Sequence, residues 1–357
     1  MIPPNPDLNR PGVARPSLPA QAHSLSFWAA GARALTADAA TSVSKRVKFF
    51  LRAWLQRRFT RAWLARLVQP DLVPLWQLRP RLATKLQRAY ICCAWGVPER
   101  CAALLGHYDV FPRLFAAEAR LAIFRDGLTV LSLANEKSGR RLELRLLYND
   151  RFEKEGELTL VLGTAEGVLL AGLSFCLVRA GDATLAIIGG LQAGNDPRVR
   201  DLIPATAREM HGLRPKACVL WCLQQLMEPW GISQLQGVGD EQHVWRHWRN
   251  RRQIAACYDE FWAESGGCEL PGGGGWELPL TPVPRERAAL KATRRRAHEL
   301  RYAMLAELQP VLRTAFAGLA HGLPAAPPAF VYAGREGRPP EERIVLPEVL
   351  AVTNHSF

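Results

Sequence analysis

Lysine is scarce in this chain, supplying seven of its 46 basic residues and leaving the rest to arginine. Cys-x-x-Cys pairs are absent and no histidine stands at zinc-finger spacing from them, which argues against a structural metal. The eight cysteines share no repeated spacing and sit mostly among apolar neighbours, as reduced core thiols of a cytosolic protein do. Met1–Ser24 is rich in proline and lacks an apolar h-region, so a secretory signal is not expected. The longest apolar run, Val168–Val178, is too short to span a bilayer and contains Gly172 and Ser174. No acidic residue falls between Asp38 and Asp71. These gaps predict a cytoplasmic protein without a transmembrane segment, peripheral at a membrane at most.

What is present suits a packed core. Apolar residues make up 48% of the 357 and charged residues 22%, enough for one large domain with appendages or two modest ones. The net charge of +13 is carried by guanidinium groups, which bind phosphate, carboxylate or anionic lipid headgroups bidentately. A compositional bias toward Ala, Arg and Leu would give the same balance.

Five stretches follow from the patterning. Residues 1–42 are proline-rich, small and aperiodic, and read as a disordered arm. Residues 43–126 form a helical subdomain. Its first helix, Ser42–Leu67, repeats Val47, Phe50, Leu51, Trp54 and Leu55 at helical spacing and carries eight basic residues. That pattern fits an anionic membrane surface or, second, nucleic acid, with Phe49, Trp54, Phe59 and Trp63 as anchors; it equally fits a core helix with a solvated basic face. Helices are expected over Arg81–Ala94, Val97–Leu105 and Arg113–Phe124.

Residues 127–284 form an α/β sheet core. The period changes at Gly127, and five strands joined by short turns predict an antiparallel meander ending at Gly190. Two helices (Pro197–Met210, and one opening at Pro215) then lead to the strand Ile232–Val238, expected to lie parallel to its neighbour. Ile254–Glu264 reads as a helix and Trp276–Leu280 as a strand. Residues 285–320 form a basic helix bent at Pro310, and residues 321–357 a Pro/Gly-rich tail, in which Ile344–Leu350 adds one strand.

Two glycines, Gly189 and Gly190, end the fifth strand before Gln192, and His211-Gly212-Leu213-Arg214-Pro215-Lys216 feeds the second helix. Such features let backbone approach a ligand and leave helix-end N–H groups free for an anion. Gly189, Gly190, Gln192, His211, Gly212, Arg214 and Lys216 are therefore candidate ligand-binding residues. Asp240 joins them because it follows a strand end, where open sheets place ligands. His243 and Tyr258 are the candidate proton-transfer groups. Each has a structural counterpart: a turn satisfied by backbone for His211, a helix cap for Asp240, a core anchor for Tyr258. Trp245, Arg246, Trp248, Arg249, Arg251 and Arg252 could clamp a nucleotide or headgroup, or pack under a solvated face.

Four motifs together resemble the VirK/YbjX family of bacterial proteins over roughly residues 85–310. They are Ile188-Gly189-Gly190-Leu191-Gln192, His211-Gly212-Leu213-Arg214-Pro215-Lys216, Tyr258-Asp259-Glu260-Phe261-Trp262 with Gly266-Gly267, and Trp276-Glu277-Leu278-Pro279. Ala193 departs from the glycine expected after Gln192. The resemblance implies a Gram-negative protein of unassigned activity linked to virulence, envelope stress or antimicrobial-peptide resistance, and brings no catalytic residues with it.

At the level of chain order the protein is also similar to the acyl-CoA-dependent N-acetyltransferases (GNAT-like topology). These run as an antiparallel meander, an N–H-presenting loop, a helix, a strand, a helix ending in glycine and a final hairpin. That likeness implies acyl-CoA as cosubstrate, with its pyrophosphate near Arg214 and Lys216. Two departures stand out. A helix intervenes before the loop, and Trp262 stands where the family's general acid, a tyrosine four residues before a glycine, would be; Tyr258 lies one turn earlier. The sequence thus leaves three functions open: a VirK-like factor binding an anionic ligand such as CoA or a phosphate-bearing small molecule, an acyltransferase, and a peripheral membrane or nucleic-acid module.

Overall fold

The apolar repeat that begins at Val43 is cut once. In the computed structural model, which describes residues 43–181, 183–246, 257–283, 292–319, 322 and 326–333, it forms two helices, α1 (Val43–Leu55) and α2 (Arg57–Leu67). Gln56 leaves helical geometry between them (φ −105°, ψ 26°). The expectations for residues 1–42, Trp248–Arg252, Arg285–Lys291 and Ile344–Leu350 lie outside the described residues.

Helices α3 (Val73–Leu78), α4 (Val97–Leu114) and α5 (Ala117–Arg125) follow. The helix predicted over Arg81–Ala94 is instead a 3-10 segment, Pro80–Gln87, and irregular backbone in which Ile91 adopts φ 55°. Long-range ties override the local propensity there. The amide of Ile91 donates to the Lys154 carbonyl (2.6 Å), and the Lys85 ammonium pairs with the buried Glu157 carboxylate.

A nine-stranded sheet carries the rest. Its strands are β1 (Leu128–Asn135), β2 (Arg141–Leu147), β3 (Leu158–Thr164), β4 (Leu169–Ala180), β5 (Ala183–Gln192), β6 (Gln234–Val238), β7 (Cys268–Glu269), β8 (Gly275–Leu278) and β9 (Ala329–Tyr332). They lie in the order β7-β8-β6-β5-β4-β3-β2-β1-β9. The β1–β5 meander is antiparallel and β6 is parallel to β5, as the turn lengths require. The sheet is mixed but mostly antiparallel.

The tail departs from expectation. Residues 329–332, read as structureless, form β9 and close the edge of β1 in parallel, with Tyr332 buried beside Asn135. Nothing local announces a four-residue strand; the open edge of β1 supplies its partner.

Buried β4 has helices against it. These are α4, whose His107 Nδ1 accepts from the Leu177 amide (3.2 Å), and α7 (Pro215–Leu226), preceded by α6 (Val199–Glu209). Helix α9 (Ala292–Gly318) covers α7, and Gln309 Nε2 donates to Gln225 Oε1 at 2.8 Å. One contiguous apolar core runs from Ala62 to Tyr332, so helices α2 to α5 and the sheet share it, while Phe49 and Ala53 of α1 form a separate cluster.

Candidate functional site

Three glutamates in five residues, Glu153-Lys154-Glu155-Gly156-Glu157, precede β3, and all three are buried. Buried carboxylates are costly without partners, so each must be held. Glu153 takes Arg81 (3.2 Å) and Arg88 (2.5 Å). Glu157 takes Lys85 (2.6 Å) and the Tyr108 hydroxyl (2.6 Å), and the Lys85 ammonium lies over the Tyr90 and Tyr148 rings at 5.2 and 5.0 Å. These two carboxylates are fastened to cations. Glu155 is not.

Glu155, 1% exposed, sits against β5. Its Oε1 accepts from Trp245 Nε1 at 2.7 Å and from Gln192 Nε2. Strand β5 makes room by bulging: Ser174 pairs with Gly190 and Phe175 with Ile188, so Gly189 is the extra residue. A Cβ on Gly189 would strike the Glu155 carbonyl, and one on Gly190 would strike its carboxylate. Both glycines are needed for close approach rather than for turning. The ring of Trp245 is held in turn by the Lys154 ammonium 4.0 Å from its centroid.

His243 completes the group. Its Nδ1 accepts from the Trp245 amide (3.4 Å), which places the proton of the neutral ring on Nε2. Nε2 faces Glu155 Oε1 across 4.0 Å and has no hydrogen-bond partner among the described residues. The imidazole stacks on Tyr258 (centroids 4.9 Å apart, planes at 18°), whose hydroxyl oxygen accepts from the Leu191 amide at 3.4 Å. Tyr258 opens helix α8 (Tyr258–Glu264), and Asp240 fixes that start by accepting from the Tyr258 amide at 2.9 Å. Asp259 closes the loop, accepting from the Asp240 amide (3.1 Å) and Trp276 Nε1 (2.7 Å). The Asp240–Arg246 segment is tied to the N-terminal region where Cys93 N donates to the Gln242 carbonyl (2.8 Å) and Cys92 bridges His243.

Burial sets the protonation of the group. It pushes the Glu155 carboxyl up to about 7, against the opposing pull of the Trp245 hydrogen bond, the Arg151 charge and the Gln192 hydrogen bond. It pushes His243 down to about 4, outweighing Asp240 and the Gly189 backbone. It raises the Tyr258 phenol, which stays protonated at neutral pH. Near pH 7 the site therefore holds a neutral imidazole, a protonated phenol, and a carboxyl poised to take a proton.

Of the residues singled out in the sequence, Gly189, Gly190, Gln192, Asp240, His243 and Tyr258 come together here. His211, Gly212, Arg214 and Lys216 form a different neighbourhood at the start of α7. His211 (φ 54°) and Gly212 (φ 83°) turn the chain, and Arg301 of α9 donates to the His211 carbonyl through Nε (3.2 Å) and Nη2 (3.0 Å), lying over Gly212. Arg301, from the basic helix expected over residues 285–320, is thus bonded to this turn. Arg214 is exposed and Lys216 half-buried, with its ammonium pKa lowered by burial. Among the described residues no cluster of His, Cys, Asp or Glu has the make-up of a metal site, and no helix is long and apolar enough to cross a membrane.

Glu155 escaped the sequence reading. Glu-Lys-Glu-Gly-Glu between two strands looks like a solvated turn; the signal was its place directly before an apolar strand.

A family model described as "Protein of unknown function (DUF535)" matches residues 38–314. The uncharacterized protein YbjX of Escherichia coli (strain K12) is 30% identical over 281 residues, covering 77% of this chain and 84% of that protein. Two uncharacterized proteins of Haemophilus influenzae (strain ATCC 51907 / DSM 11121 / KW20 / Rd) match less fully. One is 28% identical over 134 residues (38% of this chain, 44% of that protein), the other 24% over 215 residues (54% and 70%). No solved structure matches.

Proposed function

We propose that this chain, which belongs to the VirK/YbjX (DUF535) family, transfers an acyl group from a thioester of the acyl-CoA type to an amine at the Glu155 site. One observation carries the proposal. A buried carboxyl poised at about 7 lies against the bulged, glycine-lined end of β5, beside a protonated tyrosine. In the step, the amine nitrogen bonds to the thioester carbonyl carbon and the carbon–sulfur bond breaks. The amine proton passes to the Glu155 carboxylate, the leaving thiolate takes the Tyr258 proton, and Glu155 returns its proton to the Tyr258 oxygen, which restores both groups. His243, neutral and stacked on Tyr258, positions that ring.

The order of elements supports the same chemistry. An antiparallel meander, helix α7, the parallel strand β6, helix α8 and the hairpin β7–β8 resemble the GNAT-like succession, from which the intervening helix α6 departs. Arg214 and Lys216 open helix α7, next to the turn that Arg301 binds, and an anionic ligand such as a CoA phosphate fits a helix start of that kind. The family resemblance adds the setting, an envelope-stress or virulence response.

The test is thiol release by the purified full chain from acetyl- and longer-chain CoA thioesters with a polyamine acceptor. Release should rise with pH through about 7 as Glu155 loses its proton, and Glu155→Gln should lower it by about 100-fold or more. Absence of release, together with no thermal stabilisation at high CoA excess, would sink the proposal.

A further inference from the structure

Among the described residues, one face of helix α1 is exposed. Phe49 and Ala53 are buried, whereas Val47, Leu51, Trp54 and Leu55 are each 56–63% exposed. Their spacing of four, three and one places them on a single stripe. Among the described residues these four are most of the large apolar side chains left in solvent. Lys48 and Arg52 are exposed on the same helix, and Arg57, Arg58 and Arg61 are exposed on the first two turns of α2. No acidic residue lies between Asp38 and Asp71, so no carboxylate within that stretch of sequence offsets these five cations.

We infer that α1 docks the protein on an anionic phospholipid surface, the stripe entering the acyl–headgroup boundary while the cations meet the lipid phosphates. Charge complementarity selects this occupant. A second copy of the chain would bring five like charges against five. Nucleic acid would satisfy the cations and could stack a base on Trp54, but it offers no aliphatic bulk for Val47, Leu51 and Leu55. At 13 residues the helix is about 20 Å long, too short to span a bilayer and suited to lying in its plane. This docking is independent of the chemistry at Glu155.

Flotation with phosphatidylcholine vesicles, with and without 30% phosphatidylglycerol, tests it on the full chain. The protein should float with the anionic vesicles, stay behind with the neutral ones, and detach as salt rises from about 50 to 500 mM. The double change Leu51→Ser, Trp54→Ser should reduce partitioning at least tenfold, and so should Arg57→Glu with Arg58→Glu. Both sets are solvent-exposed, so melting temperature should stay unchanged, which separates lost docking from lost folding. Equal flotation with neutral vesicles, or none with anionic ones, overturns the inference. So does concentration-dependent self-association, or binding of a DNA oligonucleotide, in place of flotation.

Discussion

Glu155 and His243 stand 4.0 Å apart without forming an ion pair, because burial neutralises both. The consequence for stability can be worked out by sign. The Glu155 pKa rises on folding from 4.5 to about 7, so the unfolded chain binds fewer protons in that window and stability falls as pH rises through it. The His243 pKa falls from 6.5 to about 4, so its contribution is fully present above 6.5 and lost as pH drops toward 4. Each shift amounts to about 3 kcal/mol at full extent, and the two slopes oppose across the shared window. The native protein should therefore show little pH dependence from this pair between pH 4.5 and 6.5. Glu155→Gln should unmask stability that rises with pH there, and His243→Gln stability that falls. Urea midpoints at half-unit pH steps measure this, and identical slopes in both variants would refute the neutral-pair account.

The bulge in β5 is the element on which the site depends. Ladder register forces Gly189 out of pairing, and the backbone of Glu155 fills the space that a side chain there would occupy. Backbone cannot swing aside as the end of a long side chain can, so Gly189→Ala should destabilise the protein by about 1–3 kcal/mol. The same change should displace Glu155 from Trp245 and cut thiol release. Gly167→Ala is the control, since nothing lies within 4 Å of its Cβ and its φ of 84° brings only local backbone strain. Equal activity loss in both variants would show that the bulge has no special bearing on the site.

For the molecule as a whole, strand β9 returns from the C-terminal region to cover the edge of β1. Removing residues 320–357 would uncover the β1 edge and the pocket of core around Tyr332. The truncated chain should melt lower and self-associate, visible by light scattering at concentrations where the full chain stays monodisperse. A monodisperse truncation with unchanged melting would mean that β9 contributes nothing to closing the sheet.

Local chemistry in the sequence determined a good deal. Period-two runs with short turns dictated the antiparallel β1–β5 meander, and the two intervening helices dictated that β6 be parallel to β5. Gly189, Gly190, Gln192, Asp240, His243 and Tyr258 stood out because glycines at a strand end and polar groups after one are unusual in a packed core. Only tertiary structure could decide on Glu155. A carboxylate in a polar turn is solvated by default, and its burial requires Trp245, Gln192 and a glycine bulge to arrive from distant stretches of chain. The same holds for Arg301 at the His211 turn and for β9, whose partners lie far away in sequence. Hydrophobic periodicity is a property of neighbours along the chain, whereas desolvation, and the proton affinity it sets, exists only once remote segments have closed around a group.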